Sequence, residues 1–400
     1  MSHSRSSNRH TPTHYIAVAA ALLVGAAGCD AAPTATPDGG EIGVDATAAP
    51  RDAGAARDAG GGGREDSGSE PPTDGGGLPD GGCTDCETPW LTGVNLSSAE
   101  WGEHSFPGNY GTDYIYPDEG EVDYYLGKGM RSFRIGFRWE RLQHEFYAPF
   151  DATELSRLEG IVRYATGRGA RVILNPHNYA TYDGVLLGPD ASNVPYDAFA
   201  DFWGRLAAVF GDDPLVIFGL NNEPHDLPAE HWLAAANAAI AAIRAEGATN
   251  LVAVPGVAWT TAQVWYDDYY GTPNAEVMVG VEDPMDNFVF EVHQYLDRNS
   301  SGGGPECTSP TIGSERLAAF TGWLREHGYR GLLGETAGPD TATCAAAIDD
   351  QLSYLEDNDD VWIGWLWWAG GPWWSDSYQL LLTPRDGVEQ PQMAWLEPHL

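Results

Sequence analysis

The sequence predicts an α/β chain closed into a (β/α)8 barrel over residues 89–400, and three observations carry that expectation. Short apolar runs alternate with longer stretches whose apolar residues recur every three to four positions. The short runs are apolar almost throughout, as befits parallel strands covered on both faces. About eight such units fill the roughly 310 residues available, which suits a closed barrel. A doubly wound open sheet is the alternative, but no glycine-rich phosphate turn follows the first run to support it.

Taken in chain order, strand one is expected at "LTGVNL" (91–96) and strand two at "SFRIGF" (132–137). A helix over 152–168 then leads to strand three, "RVILN" (171–175), and a helix over 196–210 to strand four, "LVIFGL" (215–220). The next helix, 229–246, places Trp232, Leu233, Ala236, Ile240 and Ile243 on one face, with Gly247 positioned to stop it. Strands five and six follow at "LVAVPG" (251–256) and "FVFEVHQ" (288–294). Helices over 314–327 and 342–357 flank strand seven, "GLLGE" (331–335), and strand eight is "VWIGWLWW" (361–368). No internal repeat stands out.

The N-terminal part is a different material. Arg5, Arg9 and His10 precede "YIAVAAALLVGAAGC", an apolar stretch too short to span a bilayer comfortably and ending in small residues. Residues 1–29 therefore read as an export signal. "AAGC" resembles a lipoprotein processing site, which would leave Cys29 lipidated, although Ala26 stands where a larger aliphatic residue is usual. Cleavage without a lipid is the alternative. Residues 30–88 hold almost no aliphatic or aromatic side chains and are expected to form a disordered acidic Gly/Ala/Asp/Pro tether. Cys83 and Cys86 close it in "CTDC". With no second cysteine pair and no following βαβ unit, a short local disulfide is favoured over a zinc or redox site.

Charge narrows the function classes. The formal balance of 21 − 58 = −37 argues against nucleic-acid or anionic-membrane partners, so membrane contact is expected only through an N-terminal lipid. The acidity itself does not name a substrate. Fifteen Trp and 18 Tyr supply enough flat faces to bind sugar rings as well as to fill a core.

Working residues of such a barrel gather where its strands end, and the strand ends here are polar. Strand two carries Arg134; strand three ends "NPHNY", strand four "NNEPHD", strand six "EVHQYLD", strand seven "GET" and strand eight "WLWWAGGPWW". Glu223 and Glu335 thus take matching places past strands four and seven. Two carboxylates across one barrel mouth suit glycoside hydrolysis, in which one protonates the departing oxygen and the other attacks the anomeric carbon or activates water. Their surroundings must keep one protonated and the other ionised, and a cation such as Arg134 favours the ionised form of a neighbouring acid. His177, His225 and His293 come from separate strand ends without ligand spacing, so no metal is expected. Trp259, Trp265, Trp373 and Trp374 either extend a sugar cleft or cap the barrel, and Asn178 either lines the cleft or serves a turn.

Six segments in order, "SFRIGFRWERLQ", "ILNPHNYATYDG", "FGLNNEPHD", "FEVHQYLDRNSSGGGPECTS", "LLGETAG" and "WWAGGPWW", resemble family 5 glycoside hydrolases, in particular their endo-β-1,4-glucanase branch. The resemblance runs from about residue 90 to the C-terminus. It implies a retaining double displacement without metal or organic cofactor. By position, Glu223 would be the acid/base, Glu335 the nucleophile, and Asn222 the partner of the sugar 2-hydroxyl. Arg134 and Tyr295 would hold the nucleophile, while His177 and His293 would line the subsite before the scissile bond. Trp368 would be the sugar platform, with adjacent Trp367 the alternative. The family also pairs cysteines where Cys307 and Cys344 stand. Gly136 departs from the family's usual proline and should loosen strand two slightly without touching the chemistry. The expectation is an exported, monomeric endo-β-1,4-glucanase. Its rivals are the same machinery acting on mannan, mixed-linkage glucan or xyloglucan, and an inactive barrel that only binds carbohydrate.

Overall fold

The computed structural model describes residues 90–400. The signal segment, Cys29, the acidic tether, Cys83 and Cys86 lie outside the described residues.

Eight strands form the barrel: β1 (Leu91–Ala99), β2 (Ser132–Phe137), β3 (Arg171–Pro176), β4 (Val216–Gly219), β5 (Val252–Pro255), β6 (Phe288–His293), β7 (Gly331–Thr336) and β8 (Trp362–Gly370). They pair in parallel, each with its chain neighbours, and β1 joins β8 to close the ring. Besides a single α-helical turn, Trp139–Leu142, the helices are α1 (Glu119–Lys128), α2 (Ala152–Thr166), α3 (Tyr196–Phe210), α4 (Ala229–Ala245), α5 (Asn274–Val277), α6 (Ile312–His327), α7 (Ala342–Glu356) and α8 (Met393–Leu396). Gly247, at φ +81°, follows the end of α4 as its position suggested.

Both faces of each strand are buried, which is why the runs look continuous rather than alternating. A small inner cluster of Leu91, Ile173, Ile217, Ala253, Val289, Leu332, Ile363 and Leu366 plugs the barrel interior. The larger cluster lies between strands and helices and takes in Trp203, Trp232, Trp323 and Trp362. Each large apolar side chain so enclosed contributes about 1.5–3 kcal/mol. The inner plug matters for function, because it floors the barrel mouth whose rim carries the polar residues.

Helix α1 was not legible as a periodic stretch, since it buries little beyond Val122 and Tyr125. Its ends carry the signal: Asp118 accepts from the Glu121 N–H, and Gly129 closes the helix at φ +101°. The fifth unit has only α5 and two single turns, Ala262–Val264 and Met278–Gly280. Trp265 fills part of that gap from the core side. A disulfide joins Cys307, in the loop after β6, to Cys344 in the first turn of α7, with Cα atoms 5.1 Å apart.

At Gly136 the pairing is unbroken on the β3 side, from Ser132↔Arg171 to Phe137↔Pro176, while on the β1 side the register shifts between Leu96↔Ile135 and Ala99↔Phe137. A Cβ there would lie 2.6 Å from Glu100 Oε2 and 2.8 Å from its Cδ. The glycine makes room for an enclosed carboxylate that accepts from the Ser98 N–H at 2.5 Å.

Candidate active site

Arg134 rises from β2 into the barrel mouth with 1% of its surface exposed. Its planar guanidinium reaches several acceptors at once. Nη1 donates to Glu335 Oε1 at 2.8 Å and to Asn95 Oδ1 at 2.9 Å, while Nη2 donates to Asn222 Oδ1 at 2.8 Å and pairs with Glu291 Oε1 at 2.8 Å. Asn95 is itself fixed, donating through Nδ2 to the Gly334 carbonyl at 2.8 Å. The strands thus deliver one shared cation, and the acids arrange themselves around it.

Glu335, at the end of β7, has both oxygens occupied: Arg134 holds Oε1, and the Tyr295 hydroxyl donates to Oε2 at 2.8 Å. Burial pushes its carboxyl up to about 6; His293 and Arg134 restrain the rise, and the charge of Glu223 adds to it. Glu223 sits past β4 at φ +42°, a left-handed backbone that a glutamate adopts only when its neighbours impose it. Asn222 N–H donates to the Pro176 carbonyl and its own carbonyl accepts from Tyr179 N–H, clamping the turn from the β3 side. His293 Nδ1 lies 2.7 Å from Glu223 Oε1 and 3.5 Å from Glu335 Oε2. One oxygen from each of the two glutamates, together with a His293 nitrogen, lies within 4.8 Å of the others.

The two imidazoles differ. His177 is held far below its ordinary range, first by burial and then by Arg134 and Arg138, so it is neutral. Asn175 Nδ2 donates to its Nδ1 at 3.0 Å, leaving Nε2–H as the donor. Burial also opposes charge on His293, but Glu335, Glu223 and Glu291 outweigh it and push that ring up to about 9.

The aromatic residues sort by burial. Trp368 is half-buried, stacks on His177 at a centroid distance of 5.5 Å, and donates from Nε1 to the Tyr378 hydroxyl. Trp367, the alternative platform, is fully buried and donates to the Leu380 carbonyl, so it belongs to the barrel wall. Trp265 is also fully buried, against Phe290, Phe320 and Trp323, and caps the core. Asn178 does not line the cleft: it is fully buried, accepts from Trp139 N–H and donates to Glu140. Trp259 is 36% exposed and stacks on His225, while Trp373 and Trp374 sit half-buried past β8.

Asn95, Glu291, Tyr179 and Tyr378 were missed. The first two are polar residues inside apolar runs, and that interruption was the available signal. Asn95 falls in "LTGVNL" and Glu291 two residues before His293, on the same face of β6.

Residues 91–371 match the family model described as cellulase, glycosyl hydrolase family 5. Over 301 residues the chain is 44% identical to endo-β-1,4-glucanase A of Emericella nidulans, covering 75% of this chain and 88% of that one. It is 38% identical over 298 residues to endoglucanase 3 of Humicola insolens, covering 74% of each. Among solved structures it is similar to XacCel5A in complex with cellopentaose, with a TM-score of 0.76 and 44% identity over 78% of this chain and 100% of that one. It is also similar to Pseudomonas stutzeri endoglucanase Cel5A in complex with cellobiose, with a TM-score of 0.70 and 36% identity over 77% and 92% of the two chains.

Proposed function

The chain belongs to glycosyl hydrolase family 5, and from that premise we propose that it cleaves internal β-1,4-glucosidic bonds of cellulose-type glucans by a retaining double displacement. Glu335 attacks the anomeric carbon while Glu223 protonates the departing oxygen. Glu223 then takes a proton from the water that hydrolyses the glycosyl-enzyme. The observation that carries this reading is the separation of the two acids. One oxygen of each comes within 4.8 Å of the other, which is in keeping with the about 5–5.5 Å between the carboxyl groups of retaining pairs.

The supporting groups fit these roles. Arg134 and Tyr295 occupy both oxygens of Glu335 and favour its ionised form. Asn222 has its carbonyl oxygen engaged by Arg134, which leaves its amide nitrogen to donate to a sugar 2-hydroxyl. Neutral His177 offers Nε2–H, and Trp368 offers a flat face beside it.

The decisive experiment is a product profile on defined β-1,4-gluco-oligosaccharides with the anomeric form followed by proton NMR. Initial release of the β-anomer is expected; α-product, or turnover of mannan alone, would sink the reading. Glu335→Ala should abolish turnover, and azide should restore it with an α-glycosyl azide as product. We further propose that Cys29 anchors the protein through a lipid and that residues 30–88 hold the barrel away from that anchor. Cys29→Ser should then shift the protein from the membrane fraction to the medium, and unchanged partitioning would reject the anchor.

A further inference from the structure

Glu291 lies one layer beneath the two acids and takes no direct part in the displacement described above. It is 1% exposed. Its Oε1 lies 2.8 Å from Arg134 Nη2 and 3.2 Å from His293 Nε2. The other ring nitrogen of His293 reaches Glu223, so one imidazole bridges a deep carboxylate and the rim acid.

The chain makes space for this carboxylate. A Cβ on Gly334 would fall 2.4 Å from Glu291 Oε1, so β7 carries a glycine where it passes. The backbone is tied as well: Thr260 Oγ1 donates to the Glu291 carbonyl at 2.6 Å, and His293 N–H donates to the Thr260 carbonyl at 3.0 Å. Yet Glu291 Oε2 has no hydrogen-bond partner among the described residues. A buried ion pair left partly unsatisfied is a poor stabilising device, so its use lies in what it touches.

We propose that Glu291 is a positioning residue that holds His293 by Nε2, presents Nδ1 to Glu223, and so fixes the proton that Glu223 must deliver. The proposal rests on the reading of Glu223 as the acid/base. In this arrangement His293 carries both protons, donating one to the Glu291 carboxylate and one to Oε1 of the Glu223 carboxyl, whose own proton then sits on Oε2. The charged groups facing the ring are Glu291 from its own strand, Arg134 from β2 (Nη2 at 3.5 Å), Glu223 past β4 and Glu335 from β7. Neutral His177 stands just past β3. With Glu291, Glu335 and both cations charged and Glu223 protonated, the cluster is balanced. Neutralising Glu291 leaves an excess of positive charge and weakens the hold of the Glu223–His293 pair on its protons. Arg134 and His293 for their part hold the Glu291 carboxyl below its ordinary range in spite of burial.

The test is Glu291→Gln, which keeps the shape and removes the charge. The alkaline limb of kcat/KM against pH should move down by about 1–3 units. Aryl cellobiosides with poor leaving groups should lose about tenfold more rate than those whose leaving group needs no proton. Glu291→Asp should keep the wild-type limb at reduced kcat. An unmoved limb in Glu291→Gln, with equal losses on both substrate classes, would leave a purely structural role and overturn the proposal. Should Glu291→Gln not fold, imidazole nitrogen NMR of the wild-type protein decides: His293 doubly protonated at pH 7 is expected, and a neutral ring refutes it. Wild-type protein without β-1,4-glucanase activity would instead refute the function, irrespective of Glu291.

Discussion

Removing one oxygen atom should move the acid side of the pH–rate profile. Tyr295 donates to Glu335 Oε2 at 2.8 Å, and both residues are buried. A hydrogen bond to a charged group of this kind contributes about 1.5–3 kcal/mol, and 1.36 kcal/mol corresponds to one pKa unit. Tyr295→Phe should therefore raise the Glu335 carboxyl, already pushed up to about 6, by about 1–2 units. The sign follows from which form the hydroxyl favours. It stabilises the carboxylate, so its loss leaves Glu335, the proposed nucleophile, protonated and inactive over a wider range. Activity present at high pH should then disappear at about pH 7–8 as pH falls, rather than near 6. The assay is kcat/KM on a soluble β-1,4-glucan from pH 4 to 9. A variant that loses rate equally at every pH, with its acid limb unmoved, would show that Tyr295 does not hold the nucleophile.

Three further outcomes are expected. Trp368→Ala should lower kcat/KM about tenfold or more with little change in Tm, whereas Trp367→Ala should cost about 3–5 kcal/mol of stability; the opposite pattern would reverse their roles. Replacing Cys307 and Cys344 by Ser opens a 37-residue loop and should reduce the unfolding free energy by about 4 kcal/mol in a guanidinium titration, and an unchanged midpoint would contradict it. Gly136→Ala should cost about 1–3 kcal/mol by pressing on Glu100. Adding Glu100→Ala should recover most of that loss in a double-mutant cycle, and strict additivity would rule the contact out.

The residues that were legible in the sequence are those that break a strand's apolar pattern at its end. Glu223, Glu335, His177 and His293 all do so, Arg134 interrupts strand two from within and stood out by its charge, and the barrel brings the five together. Glu291 and Asn95 stay hidden because a polar residue inside an apolar run does not reveal which way it points. Alternation along β6 would have placed Glu291 with Val289 and His293 on the inner face. The same parity argument fails on β8. Pairing with β7 slips between Trp362 and Trp365, and Gly364 adopts φ +140°, where an added Cβ would lie 2.0 Å from the Leu91 carbonyl oxygen. Counting by twos from Ile363 therefore misplaces Trp367 and Trp368. Asn178 stayed open between cleft and turn for a different reason: an asparagine beside a cleft histidine can equally stitch the loop beneath it, as its bonds to Trp139, Glu140 and Thr181 do.

Arg134 and Glu335 meet across 201 positions of chain, and the groups around them come from β1, β2, β4, β6 and β7. No half of the ring holds a working centre, so turnover doubles as a reporter of complete assembly. In refolding experiments, regain of helical signal should precede regain of catalysis, because a ring still open at one seam has its secondary structure but no complete constellation.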